Sequence, residues 1–155
     1  AMISEANQTL VEIRKFDPTF TGSGDGKSVM VIIPQVVKPY LEKADILRKE
    51  GKIEEALAEL KEANKIRELA YTNLLIGKLL FIQKNFDAIH HLEKANKEIK
   101  NDPSLYSNLC VLYILQHREH EARSALDNYI RLQGERHPIS MRLRALFNKE
   151  SAKRK

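Results

Sequence analysis

Apolar and small residues recur along most of the chain at i, i+4 and i+7, with charged residues between them. Ala56, Leu60 and Ala63 form one such set; Ala88, Leu92 and Ala95 form a second; Ala122, Leu126 and Tyr129 form a third. Each set marks one face of an amphipathic helix. Their first members, Ala56, Ala88 and Ala122, follow one another at nearly equal intervals, so the helices belong to a repeat. Upstream of each set lies another related cluster: Tyr40, Ala44 and Leu47; Ile76, Gly77 and Leu80; Tyr106, Leu109, Cys110 and Tyr113. Punctuation agrees with helix pairs. Gly51 ends one helix, Asn85 is placed to cap another, and Asp102-Pro103 reads as N-cap followed by the first helical residue. The pattern predicts helices over 39–50, 53–68, 71–83, 86–100, 103–116 and 119–132. A seventh, over 138–151, puts Leu143, Leu146 and Phe147 on the last pair and its Arg and Lys residues in water.

Residues 1–36 follow a different pattern. Ser4–Phe16 is compatible with a short helix through Ala6, Leu10 and Ile13, or with a strand through Val11, Ile13 and Phe16. Thr21–Ser28 is a Gly- and Ser-rich loop by composition. Val29–Ile33 is a β-prone apolar run stopped by Pro34. Left in water it invites aggregation, so it is expected to dock on its own chain, on a second copy, or on a partner.

The three helix pairs resemble tetratricopeptide repeats. Tyr106, Leu109, Cys110 and Tyr113 stand at the spacing of that family's Trp-x2-Leu-Gly-x2-Tyr pattern, followed by Ala122, Leu126 and Tyr129. The first unit departs from it at Lys43. The second has Asn73 in the aromatic slot and is one residue short between Leu80 and Ala88. The resemblance implies an all-α fold, a right-handed solenoid of helical hairpins with about seven helices, with repeats over 37–69, 70–102 and 103–136 and a capping helix over 138–151. Domain organisation is then an N-terminal segment, 1–36, and a repeat domain, 37–155. Ala44, Gly77 and Cys110 are small enough to let first helices approach their neighbours, as Ala56, Ala88 and Ala122 are on the second helices.

The resemblance further implies that the first helix of each pair lines a concave groove holding a protein or peptide segment. Mapped by position, the groove takes Leu41, Asp45 and Arg48 from the first repeat, Leu74, Lys78 and Phe81 from the second, and Asn108, Val111 and Ile114 from the third. Some members of the family clamp a carboxylate terminus with Lys and Asn; only Asn108 matches such a position. The floor suits instead an apolar or amphipathic segment. A non-enzymatic adaptor or scaffold is the expected function. A chaperone holding an apolar client segment, as in secretion chaperones built from three such repeats, is the alternative.

Composition changes this picture little. The chain has 155 residues, 30% charged, with one cysteine and no tryptophan, which excludes a disulfide framework. The net charge of +5 lies wholly in residues 118–155, which carry ten basic and five acidic groups. Such a surface attracts acidic partners, but its aromatic residues, Tyr129 and Phe147, belong to the apolar helix pattern and form no stacking platform among the charges as single-strand binding requires, so nucleic acid is not an expected partner. The longest apolar run, Val29–Ile33, is far too short to span a membrane. No basic stretch leads into an apolar one at the start, and a cytoplasmic location is expected.

Candidate chemistry is thin. Gly26-Lys27-Ser28 resembles the end of a phosphate-binding loop, a remote nucleotide-binding alternative. That motif needs Gly where Thr21 stands, and a helix where Val29–Ile33 runs. His90, His91, His117 and His120 raise a metal question. Zinc needs three or four convergent ligands, and these histidines are read as surface residues. No nucleophile, base and acid stand together, so neither catalysis nor a cofactor or metal is expected.

Overall fold

The computed structural model describes residues 9–12 and 30–153. Among them, seven helices account for most of the chain, in keeping with the all-α class. They are α1 (Lys38–Lys49), α2 (Ile53–Ile66), α3 (Ala70–Ile82), α4 (Ala88–Asn96), α5 (Pro103–Leu115), α6 (Glu119–Gln133) and α7 (Pro138–Lys153). Ahead of them, β1 (Thr9–Glu12) and β2 (Met30–Ile33) pair antiparallel, with Thr9 opposite Ile33 and Glu12 opposite Met30. The Gly-rich loop from Thr21 to Ser28, and Val29, lie outside the described residues. The chain divides into two compact units at the Lys100–Asn101 junction, where the sequence pattern anticipates one repeat domain over 37–155.

The first unit holds β1, β2 and α1–α4. In it, α1 packs on α2, α2 on α3 and α3 on α4. Ala44, Leu41 and Leu47 form the buried stripe of α1, and Ala56, Leu57, Leu60 and Ala63 that of α2. An ion pair from Lys43 to Glu59 (3.1 Å) and a hydrogen bond from Gln83 Nε2 to Glu54 Oε1 (2.6 Å) tie the helices at their edges. Unlike α1 and α2, α3 has no polar side: every residue from Tyr71 to Leu80 is buried. Its sequence is apolar around its whole circumference, which is the mark of a helix covered on all faces. Gly77 is what allows α4 to approach it. A Cβ added there would lie 2.5 Å from Leu92 Cδ2 and 2.6 Å from Leu92 Cγ.

α4 is shorter than the sequence pattern predicts at both ends. Asn85 is not its N-cap; the cap is Asp87, whose N–H donates to Asn85 Oδ1 at 2.9 Å. After Asn96 the backbone tightens, with Lys97 N–H donating to the carbonyl of Lys94 and Glu98 N–H to that of Ala95. That turn carries Ile99 into the interior.

The second unit holds α5–α7. Asp102 caps α5 as expected, accepting from Leu105 N–H at 3.2 Å and from Ser104 Oγ at 2.6 Å, with Pro103 in the first turn. α5 resembles α3 in being buried nearly all round, from Pro103 to Cys110 and again from Leu112 to Ile114. α7 packs on α5 and α6. Leu143 and Phe147 of α7 are buried and Leu146 half-buried, with Ile139 and Ser140 completing the inner stripe. The Arg123 guanidinium lies 4.9 Å from the centre of the Phe147 ring, and Ser140 Oγ donates to the carbonyl of Gly134 at 2.7 Å. Arg142, Arg144 and Lys149 are exposed.

One local structure recurs in both units. α1, α3 and α5 are each followed by a residue with positive φ, and the three stand at equal intervals along the chain: Gly51 (+80°), Lys84 (+58°) and His117 (+59°). In each case two backbone N–H groups turn back onto the last turn. Gly51 and Lys52 donate to Arg48 and Leu47, Lys84 and Asn85 to Phe81 and Leu80, His117 and Arg118 to Ile114 and Tyr113. This 6→1 and 5→2 pair is the Schellman closure. Only the first uses glycine, and a side chain in the left-handed region costs about 1–2 kcal/mol. Lys84→Gly and His117→Gly are therefore expected to stabilise the fold by about 0.5–1 kcal/mol each. Gly51→Ala is expected to destabilise it, and urea unfolding of the three variants checks the signs.

Candidate functional site

The nine residues expected to line a groove fall into two environments. In the first unit, Leu41, Leu74 and Lys78 are buried, whereas Asp45, Arg48 and Phe81 are half-buried. Asp45 and Arg48 stand one turn apart on α1 and pair with each other: Arg48 Nη2 lies 2.7 Å from Asp45 Oδ1, and Lys49 Nζ lies 3.0 Å from Oδ2. In the second unit, Asn108 and Ile114 are buried and Val111 is half-buried. Asn108 has no hydrogen-bond partner on either side-chain atom. A buried amide without partners costs free energy, and this one stands one turn after the buried Ser104 on the same helix face.

Sequence reasoning missed a polar network at the α2–α3 junction, built on the residue that replaces an aromatic in the repeat pattern. Asn73 Oδ1 accepts from Asn64 Nδ2 (3.1 Å) and contacts His91 Nδ1 at 3.1 Å; Asn73 Nδ2 donates to Glu68 Oε2 at 2.9 Å. Lys94 Nζ reaches the same Glu68 oxygen at 3.1 Å, and Asn64 Oδ1 accepts from Leu69 N–H. An amide oxygen only accepts, so the His91 Nδ1 carries the proton. Beside the network opens a cleft of about 520 Å³ lined by Arg67, Glu68, Leu69, Ala70, Asn73, Lys94, Lys97 and Glu98. The available signal was Asn73 itself: a carboxamide where the pattern wants an aromatic ring has to find polar company.

The network sets two titrations. Glu68 is held below the usual carboxylate range by the Asn73 hydrogen bond first and by Lys94 second. His91 is pushed below the ordinary imidazole value, chiefly by burial and then by the charges of His90, Lys94 and Lys61, with Asp87 opposing. The folded state thus binds the His91 proton less readily than the unfolded state does. Stability from neutral His91 is full above about pH 6.5 and declines as pH falls below it. Urea midpoints are expected to drop between pH 7.5 and pH 5.5 in the wild type and to change less in His91→Gln.

Other candidate chemistry does not converge. His90 and His91 rings meet edge to face at 5.8 Å, while His117 and His120 are exposed. No group of three or more His, Cys, Asp or Glu among the described residues is arranged to hold a metal ion. Cys110 is fully buried and its thiol is pushed up to about 12 by that burial, which disfavours the thiolate. No helix among the described residues is long and apolar enough to cross a membrane. Compared with protein-family models and with curated proteins, the sequence matches none.

Proposed function

We propose that this chain is a protein-binding module of the tetratricopeptide type, an adaptor or scaffold without catalytic chemistry that holds a segment of another protein along its first helices. The observation that carries the reading is the turn repeated at Gly51, Lys84 and His117, at the constant interval that a stack of helical hairpins requires. Small residues at Ala44, Gly77 and Cys110 on the helices before those turns support it further. On this reading the groove positions that keep accessible surface are Asp45, Arg48 and Phe81 in the first unit, and Val111 in the second. Leu41, Leu74, Lys78, Asn108 and Ile114 then shape the floor from beneath. An apolar surface with one neutralised charge pair selects an apolar or amphipathic segment over a strongly charged one.

The test is affinity capture from lysate with wild type and with Phe81→Asp/Val111→Asp, after matching the two proteins for helicity and melting. A protein captured by the wild type and lost from the folded variant is the expected result. Equal capture by both overturns the groove reading and moves binding to the basic residues of α7 or to residues 1–36.

A further inference from the structure

α7 has two faces of opposite character. Ile139, Leu143 and Phe147 are buried, and the helix packs on α5 and α6. Across from them Met141, Ala145, Asn148 and Ala152 are all exposed, Met141 to 60%. At 100° per residue these four lie within about 60° of one another. They stand at i, i+4, i+7 and i+11, the spacing of the d and a positions of two successive heptads.

In that register Arg142 and Lys149 take the e positions and Arg144 a g position. These are the places from which paired helices choose a partner by charge. All three are basic and exposed. Arg144 reaches Glu135 at 3.7 Å, whereas Arg142 and Lys149 have no side-chain hydrogen bond or ion pair among the described residues. Glu150, the acidic residue of α7, lies on the inner side with Phe147. Other exposed helix faces neutralise themselves. On α1, Lys38 pairs with Glu42 and Lys49 with Asp45; on α2, Lys65 pairs with Glu62. The outer face of α7 has no such acids, and it belongs to the segment that holds the whole positive excess of the chain.

We infer that the outer face of α7 is a docking seam for an acidic amphipathic helix of another protein. The partner lays the apolar residues of its own seam on Met141, Ala145 and Ala152, and sets Asp or Glu opposite Arg142, Arg144 and Lys149. Charge complementarity selects this occupant over others. A second copy of α7 would bring basic e and g positions against one another. A membrane surface is held by a broad face of large apolar residues, and here Met141 is the one large apolar side chain. Single-stranded nucleic acid stacks on aromatic rings, and this face has none. Asn148 within the seam fixes the register at some cost in affinity. The surface lies in the second unit and does not depend on the groove reading.

Fluorescence anisotropy with the full chain and three synthetic helical peptides tests this. The first peptide carries Leu at a and d and Glu at e and g over about three heptads. The second has Lys in place of those Glu residues, and the third is a scramble of the first. The Glu peptide is expected to bind about tenfold or more tightly than either control, and to weaken as salt rises. Arg142→Glu/Lys149→Glu is expected to lose that advantage and to gain affinity for the Lys peptide. Met141→Asp is expected to weaken binding about tenfold with helicity unchanged. Should the double reversal lower helicity, Arg142→Gln/Lys149→Gln is read in its place. Phe81→Asp/Val111→Asp is expected to bind the Glu peptide as wild type does; loss there puts the peptide in the groove and overturns the proposal. Equal binding of the Glu and scrambled peptides overturns it too, as does unchanged binding in a folded charge variant. So does tighter binding to polyuridylate RNA or to phosphatidylserine vesicles than to the Glu peptide, or a wild-type dimer that Met141→Asp disperses in sedimentation.

Discussion

Gly77→Leu is expected to destabilise the protein by about 3 kcal/mol, the upper end of what overpacking a core costs. α3 and α4 meet at this position so closely that even a methyl group would lie 2.5 Å from Leu92 Cδ2 and 3.3 Å from the Leu92 backbone nitrogen. Leucine is not expected to be accommodated by a rotamer change alone, because Leu92 is itself 0% exposed and protein interiors are close-packed. Gly77→Ala separates two opposing terms. Helix propensity favours alanine by about 1 kcal/mol, whereas the clash with Leu92 opposes it by about 1–3 kcal/mol. If the clash is the cause, Leu92→Ala costs less in the Gly77→Ala background than in the wild type, by a coupling of about 0.5 kcal/mol or more. Urea denaturation of the four proteins of this cycle measures the coupling. Strict additivity would mean that the approach of the two helices is set elsewhere.

Leu74→Asp is the second large effect, on the order of 4 kcal/mol. Leu74 is 0% exposed on a helix with no polar face. The substitution removes a buried aliphatic side chain and asks for a carboxylate in its place, which must either stay uncharged or bring water into the core. Against a total stability of about 5–15 kcal/mol this is enough to threaten the fold. Phe81→Asp, one turn beyond Lys78 and half-buried, is expected to cost about 1–2 kcal/mol, since its carboxylate keeps access to water. Melting temperatures of the two variants should differ accordingly. The contrast matters for function, because loss of binding in Leu74→Asp would report unfolding, and loss of binding in Phe81→Asp would report the surface.

The same contrast shows how far the groove residues were legible. Family spacing placed Leu74 and Phe81 on one face of one helix, and helical geometry requires that they share it. Burial of that face depends on what lies above it, and no periodicity within α3 contains that information. α3 and α5 do announce their all-round burial in composition, since apolar residues predominate on every side and only a few polar ones, such as Asn73, Lys78, Ser104 and Asn108, interrupt them. Asp45 and Arg48 are placed in the groove by family spacing alone. Their i, i+3 spacing was the available sign that they pair with each other, and at 2.7 Å they do. Asn73 was visible as a departure from the repeat pattern, but its partners Asn64, Glu68 and His91, and the Lys94 that pairs with Glu68, come from different segments, and only the fold brings them to one point.

Sequence by itself determined the helices, their order and most of their ends. Those follow from local physics: the period of apolar residues, a glycine free to take positive φ at position 51, an aspartate and a proline opening α5. It did not determine that Lys84 and His117 would take the same left-handed turn as Gly51, because neither side chain favours that conformation. There the backbone hydrogen bonds and packing of the helical pair outweigh local preference. Nor did it determine that Ile33 at the end of β2, or Lys78 within α3, would each be closed to water. Burial is a property of surfaces meeting, and which surfaces meet is settled only when the tertiary structure forms.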